Sequence, residues 1–315
     1  MKKIGFIKPN YPGEKRVALL PNHVTDYLAD RIVIEEGFGE YLDIGDSDYI
    51  NAGCKVLSRQ DIFKMCDAIF SLKLIQEPDY SSLRERQLII GWTHPNGSGH
   101  EFMKEVAIPK SLVVVDLDNI VPKVYYKEKS IIIDWLKRDF IYKNSFNAGY
   151  AATIHAFLSY GMMPSSKTKI AILSSGNVAQ GSFAAASKFG ADIRMFYRKT
   201  MHEFYDSINE YDVIINGIEV DNDSHIISKN QLKCCKKGCL FVDAAADAGN
   251  AIEGTYYTSI DNPIYKEDDL YFYEVNNAPS IIHRTSSYDI SESFSKWIYG
   301  VDIDRYYELA RKIGY

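Results

Sequence analysis

Cysteine is scarce in this chain: five residues in 315, of which Cys54 and Cys66 stand alone and only Cys234-Cys-Lys-Lys-Gly-Cys239 forms a cluster. That cluster has no second pair of soft ligands and no neighbouring histidine, so its spacing argues against a structural zinc site and no metal is expected. The thiols read as ordinary reduced ones. Long apolar runs are missing too. Nothing approaches a membrane span, and the start Met1-Lys-Lys-Ile lacks the apolar core of a signal peptide, so a cytoplasmic protein without membrane partners is expected. Positive charge is not in excess: 36 Lys and Arg against 42 Asp and Glu give a formal net charge of −6, which argues against a sequence-independent nucleic-acid surface. Repeats and low-complexity linkers are absent as well, so domain boundaries must come from residue pattern.

What is present is 46% hydrophobic and 25% charged residues, enough for two domains with cores of their own. The most informative stretch runs from Lys169 to Lys199. The apolar run Ile170 to Leu173 fits a buried parallel strand. Ser174, Ser175 and Gly176 make a tight turn, an Ala-rich helix follows from about Asn177, and Gly190 stops it. Backbone N–H groups at the start of a helix are unpaired and lie at the positive end of its dipole, so a pyrophosphate binds there if side chains leave room. The glycine fingerprint is reduced to Ser174-x-Gly176-x-x-Ala179. Gly176 falls where backbone approaches phosphate most closely, and Ala179 is small enough for close helix-to-strand packing. Ser174, in the place of the first glycine, demands a turn that serine can adopt. The candidate cradle is Ser174, Ser175, Gly176, Asn177, Val178 and Ala179; by pattern alone a ligand-free βαβ unit fits equally well.

The end of the second strand discriminates further. A NAD site needs a carboxylate there for the ribose 2′-hydroxyl, yet the chain reads Met195-Phe-Tyr197-Arg198-Lys199 and has no acid. Arg198 and Lys199 instead offer two cations where a 2′-phosphate would lie, which favours NADPH over NADH; the other reading is a pair of solvated strand-end charges.

Before this unit, short β-rich runs at 4–7, 31–35, 68–72, 88–91 and 112–116 alternate with helical patterns near 22–28, 58–65 and 100–106. Around it, a helix over 148–160 and strands at 213–215 and 240–242 complete a second α/β set. The tail carries Ile290, Phe294, Trp297, Ile298 and Val301 at helical spacing and is expected to pack back on the first set. The expected architecture is α/β with two domains. A Rossmann-type dinucleotide-binding domain, 141–279, is inserted in an α/β substrate domain, 1–140 plus 280–315, with an interdomain cleft for substrate.

Four other places are chemically suggestive. Arg16 follows a Pro-Gly turn and either holds a small carboxylate with its fork or is a surface charge. Lys73 closes the apolar strand Ala68-Ile-Phe-Ser-Leu-Lys and either meets an anion or points to water. His94 follows Ile89-Ile-Gly-Trp-Thr and precedes a Pro-Asn-Gly-Ser-Gly loop, a position suited to a proton donor and equally to a structural histidine. Leu240-Phe-Val-Asp243-Ala-Ala-Ala-Asp247 ends a strand in two carboxylates that either serve a site or cap the next turn.

Together, Arg16 in Arg-Val-Ala-Leu-Leu-Pro, Lys73 and His94 after successive strands, the nucleotide unit, Val242-Asp-Ala-Ala-Ala-Asp-Ala-Gly249 and Asn276-Asn-Ala-Pro-Ser-Ile-Ile-His-Arg-Thr-Ser286 resemble the alanine dehydrogenase and pyridine nucleotide transhydrogenase family over nearly the full chain. The strings Phe70-Ser-Leu-Lys-Leu-Ile-Gln76, Ile89-Ile-Gly-Trp-Thr-His-Pro95, Tyr142-Lys-Asn-Ser-Phe-Asn-Ala-Gly-Tyr150, Ser175-Gly-Asn-Val-Ala-Gln-Gly181 and Tyr197-Arg-Lys-Thr-Met201 narrow the likeness to a branch that condenses pyruvate with the side-chain amine of L-ornithine. The resemblance implies loss of water to an imine, reduction by NADPH, N5-(1-carboxyethyl)-L-ornithine as product, lysine as a poorer amine donor, and a homo-tetramer. It also implies roles: Arg16 on the pyruvate carboxylate, Lys73 on the keto oxygen or carboxylate and in catalysis, His94 as acid/base, and Asp247 as a catalytic participant near the nicotinamide and substrate, its duty left open. Asp116, Asp118 and Glu219 stand as equal candidates for the amino-acid co-substrate. The missing acid after the second nucleotide strand departs from NAD-using alanine dehydrogenases. Two other readings are an alanine- or saccharopine-type dehydrogenase and a nucleotide-binding regulator without catalysis; Arg16, Lys73 and His94 together speak against the regulator.

Overall fold

Strands Ile4–Ile7 (β1), Ile32–Glu35 (β2), Lys55–Leu57 (β3), Ala68–Ser71 (β4), Leu88–Gly91 (β5) and Val113–Asp116 (β6) run parallel, and all but β3 are buried at every position. Unbroken runs of Ile, Val, Phe and Leu are what a parallel strand covered on both faces requires. The computed structural model describes residues 2–118, 120–137, 139–220 and 225–315. It divides the chain into two compact units, Met1–Ile141 with His283–Tyr315, and Tyr142–Ile282.

In the first unit the sheet continues through Lys123–Tyr126 (β7) and Lys129–Ile132 (β8), both antiparallel, to give the order β3-β2-β1-β4-β5-β6-β7-β8. One face of the sheet is covered by the C-terminal tail. The helices His283–Phe294 and Ile303–Lys312 place Ile290, Phe294, Ile303, Tyr306 and Ala310 in the same buried cluster as Phe6, Phe70 and Trp92, as the helical spacing of the tail predicts. The other face is covered by Ile62, Phe63, Phe102 and Val106. The pattern near 100–106 yields only a short helix, His100–Phe102, followed by a wider-turned segment, Met103–Ala107.

The second unit has Lys169–Leu173 (β9), Asp192–Phe196 (β10), Val213–Asn216 (β11), Leu240–Asp243 (β12), Ile264–Glu267 (β13) and Leu270–Tyr273 (β14) in the order β10-β9-β11-β12-β14-β13. All pairings are parallel except the β13–β14 hairpin. From β9 the chain crosses to β10 on one side, and β11 lies on the other. The strand order therefore reverses at the carboxyl end of β9, where open α/β sheets hold their ligands.

The long helix of this unit is Tyr142–Tyr160, which begins earlier than the 148–160 expected, and it packs on Asn177–Ala186, the helix after β9. The two cross through glycine. A Cβ on Gly149 would overlap the carbonyl oxygen of Val178, and one on Gly181 would overlap that of Phe146. Backbone lies on backbone there, and side-chain volume cannot be added without parting the helices. Among the described residues no helix is long and apolar enough to cross a membrane.

Candidate active site

Each unit holds one set of candidate residues at the carboxyl ends of its strands. In the first, the segment after β1 turns at Pro12-Gly13 and brings back Glu14 and Arg16, both buried. Arg16, 2% exposed, donates from Nε to Glu14 Oε1 at 2.8 Å and from Nη2 to Glu14 Oε2 at 2.6 Å. Burial alone would raise the Glu14 pKa, but the Arg16 charge and hydrogen bonds outweigh it, Lys73 adds to them, and the carboxylate stays ionised. Arg16 is therefore not a surface charge. One edge of its fork is engaged by Glu14.

Lys73, just past β4, is half-buried, with Nζ 5.6 Å from the Trp92 ring centroid and 5.1 Å from that of Tyr11. The Arg16 guanidinium lies 4.9 Å from the same Trp92 ring. Trp92 is thus a shared floor under two cations, which attract its π face. Burial lowers the Lys73 pKa to about 8. The Arg16 charge acts in the same direction, and Glu14 and Asp118 oppose it.

His94 follows β5 with a φ of 42°, a left-handed conformation uncommon for histidine. Its carbonyl accepts from Gly97 N–H and Gly99 N–H, both at 2.9 Å, and buried Asp116 accepts from Thr93 N–H at 3.1 Å and His94 N–H at 3.3 Å. A Cβ on Gly99 would overlap the Thr93 carbonyl oxygen, so the loop closes over the histidine only with glycine there. The ring Nε2 lies 2.9 Å from Asp118 Oδ2. Burial lowers the His94 pKa, but the hydrogen bond and charge of Asp118 outweigh it, and the net shift is upward. The imidazole holds its proton further towards neutral pH than a free one would, which suits a donor.

The structure therefore brings Arg16 and Lys73 together on Trp92, and sets His94 close enough to Lys73 to feel its charge. Sequence reasoning did not single out Glu14, Tyr11 or Trp92, and left Asp116 and Asp118 among several acids. Spacing of two residues from Glu14 to Arg16 was the available signal, since such a pair shares a side of extended chain.

In the second unit, Ser174 adopts φ 114°, which places a serine where glycine is usual; its N–H donates to Phe196 O at 2.7 Å and its Oγ accepts from Gly176 N–H at 3.0 Å. Gly176 caps the helix Asn177–Ala186 without a side-chain cap, and a Cβ there would meet only Ser174 Oγ, at 3.5 Å. Ser175 and Gly176 are exposed, Asn177 and Val178 are intermediate, and Ala179 is buried against the sheet. Open space before a helix start at the point where the strand order reverses fits a dinucleotide pyrophosphate. Tyr197, Arg198 and Lys199 are exposed just beyond β10, in a turn closed by Thr200 N–H donating to Tyr197 O at 2.7 Å. No acidic side chain among the described residues forms an ion pair with Arg198 or Lys199.

At the ends of β11, β12 and β14 lies a buried acidic network. Asp243 accepts from Asn216 Nδ2 at 2.9 Å and Asp247 N–H at 2.7 Å; Asp247 accepts from Val220 N–H and Asn250 Nδ2, both at 2.8 Å. Asp243 thus caps the turn, and Asp247 is held by both of its oxygens. Glu274, fully buried beside them and not foreseen, has its pKa pushed up to about 10, first by burial and then by the Asp243 carboxylate, so it is neutral at pH 7. Among the described residues no group of three or more His, Cys, Asp or Glu is placed to hold a metal ion.

The chain is similar to known proteins over almost its whole length. The model of the alanine dehydrogenase/PNT N-terminal domain matches residues 6–124, and that of the C-terminal domain matches residues 183–311. N(5)-(carboxyethyl)ornithine synthase of Clostridium botulinum (strain Hall) is 53% identical over 312 residues, covering 99% of this chain and 98% of that one. The protein of the same name from Lactococcus lactis subsp. lactis (strain IL1403) is 53% identical, with 98% and 99% covered. Among solved structures, a transhydrogenase from Sinorhizobium meliloti superposes with a TM-score of 0.75 at 20% identity over 94% of this chain and 93% of its own, which is a likeness of fold.

Proposed function

Since the chain belongs to the alanine dehydrogenase/PNT family, on the branch of the N(5)-(carboxyethyl)ornithine synthases, we propose that it is an oxidoreductase that joins pyruvate to the side-chain amine of L-ornithine with NADPH. The first unit takes the substrates and the second the dinucleotide. The observation that carries the reading is that Arg16 and Lys73 share Trp92 while His94 lies within reach of the Lys73 charge, a constellation suited to an α-keto acid and a proton transfer.

Arg16 binds the pyruvate carboxylate while Glu14 fixes the guanidinium plane. Lys73 offers a second positive charge to the carboxylate or keto oxygen, and the two cations hold the carbon in one orientation. The amine adds to the keto carbon to give a carbinolamine. His94 then protonates the departing hydroxyl, so that water leaves and an imine remains. Asp118 keeps the imidazole oriented and favours its protonated form. NADPH, when bound, supplies the hydride that reduces the imine carbon. Asp247, fixed by Val220 and Asn250, borders the end of the second unit from which the nicotinamide would project.

The direct test is NADPH oxidation with pyruvate plus ornithine, lysine or ammonia in parallel. Turnover with ornithine, and slower turnover with lysine, is expected; turnover with ammonia alone would make the protein an alanine dehydrogenase instead. A pH dependence follows from Lys73. Its ammonium loses a proton as pH rises through about 8, so attraction for pyruvate is present below that pH and lost above it. The KM for pyruvate is expected to climb above pH 8, and Lys73→Arg to move the climb to higher pH; superimposable profiles would remove Lys73 from pyruvate binding.

A further inference from the structure

We propose that a cavity of about 330 Å³ beside the Arg16–Lys73–His94 cluster binds the α-amino-acid head of the amine substrate, with Lys8 on its carboxylate and Glu40 on its ammonium. The inference rests on the reading of the enzyme given above and adds the part of the site that recognises an amino acid.

Three observations within the first unit carry it. The first is charge. The cavity is lined by Lys8, Asn10, Tyr11, Glu14, Lys15 and Glu40 among others, so cations and carboxylates face one space, the complement of a zwitterion. Lys8 Nζ and Glu40 Oε1 stand 3.7 Å apart, beyond hydrogen-bond length, and their side chains are 33% and 53% exposed. A zwitterionic head replaces this loose contact with two direct charge-assisted bonds.

The second is continuity with the reacting centre. Tyr11 lines the cavity and also lies 5.1 Å from Lys73 Nζ; Glu14 lines the cavity and also holds Arg16. A head group at Lys8 and Glu40 therefore sends its side chain along Tyr11 towards the keto acid.

The third is rigidity. The lining loop is clamped from beneath by Arg59, which donates to Asp79 through Nε and Nη2 at 2.9 and 2.7 Å, and through Nη1 to Lys8 O at 2.9 Å and Glu35 Oε2 at 2.7 Å. Lys8 N–H donates to Glu35 at 2.6 Å and Asn10 Nδ2 to Asp79 at 3.1 Å. A surface loop held by an arginine between two carboxylates is pre-organised, which lowers the entropic cost of closing on a small polar ligand.

Lys8→Met and Glu40→Gln test the assignment in the full-length protein. Each is expected to raise the KM for ornithine about tenfold and to leave the pyruvate KM and NADPH binding unchanged. Two amine analogues, read as alternative substrates or as competitors of ornithine, separate the roles. 1,4-Diaminobutane lacks the carboxylate, so Lys8→Met should not weaken it; 5-aminopentanoate lacks the α-amine, so Glu40→Gln should not weaken it. An unchanged ornithine KM in both variants, or equal losses for ornithine and both analogues, overturns the cavity while leaving the reaction standing. Absence of NADPH oxidation by the unmodified protein with pyruvate and ornithine removes the reaction and the cavity with it.

Discussion

Replacing His94 with asparagine is expected to lower kcat by about 10²- to 10⁴-fold, the range of a lost general acid, with the affinity for NADPH unchanged. The amide keeps a polar group of similar reach and retains the backbone bonds from Thr93 and His94 to Asp116, so the loop after β5 should keep its shape. What is lost is the titratable proton that Asp118 holds on the ring. Steady-state turnover together with fluorescence titration of NADPH distinguishes the two effects. A kcat within threefold of the unmodified protein would mean that a solvent proton suffices and that His94 serves the loop alone.

Substituting Arg198 and Lys199 together with glutamine should weaken NADPH by about 10- to 100-fold and leave NADH nearly untouched. A sheltered charge-assisted bond to a phosphate contributes about 1.5–3 kcal/mol; both side chains are exposed, so solvent screening leaves the pair together worth about one such bond, which is the stated range. The geometry allows this contrast because the pair lies beyond β10, past the helix start that would take the pyrophosphate. Dissociation constants for the two dinucleotides, measured side by side at fixed ionic strength, decide the matter. Equal weakening of both would assign the cations to general attraction instead of the 2′-phosphate.

Much of this molecule was legible in the amino-acid sequence because its chemistry follows strand ends. β1, β4, β5 and β6 are fully buried parallel strands, so each appears as an unbroken apolar run, and Lys73 and His94 stand out as the first ionisable residues after two of them. The tail helix was equally plain, since Ile290, Phe294 and Ile298 recur at helical spacing and all three are buried. β7 and β8 were not recognised: both pair antiparallel, and β8, at the edge of the sheet, is largely exposed, so no apolar run marks it. The site was readable in its charges and not in its supports. Nothing local announces that Glu14 grips Arg16, that Trp92 lies under two cations, or that Glu274 comes to rest beside Asp243, because each depends on elements that are distant in sequence.

The glycine crossing of the second unit sets a mechanical limit. Where Gly149 and Gly181 let main chain rest on main chain, the separation of two helices is fixed by atoms that have no rotamers to change. Because one of these helices begins at the Gly176 turn, that turn stands at a depth gauged by peptide units instead of cushioned by side chains. Rearrangement of the surrounding core can therefore tilt the pair as one body without opening or closing the turn itself.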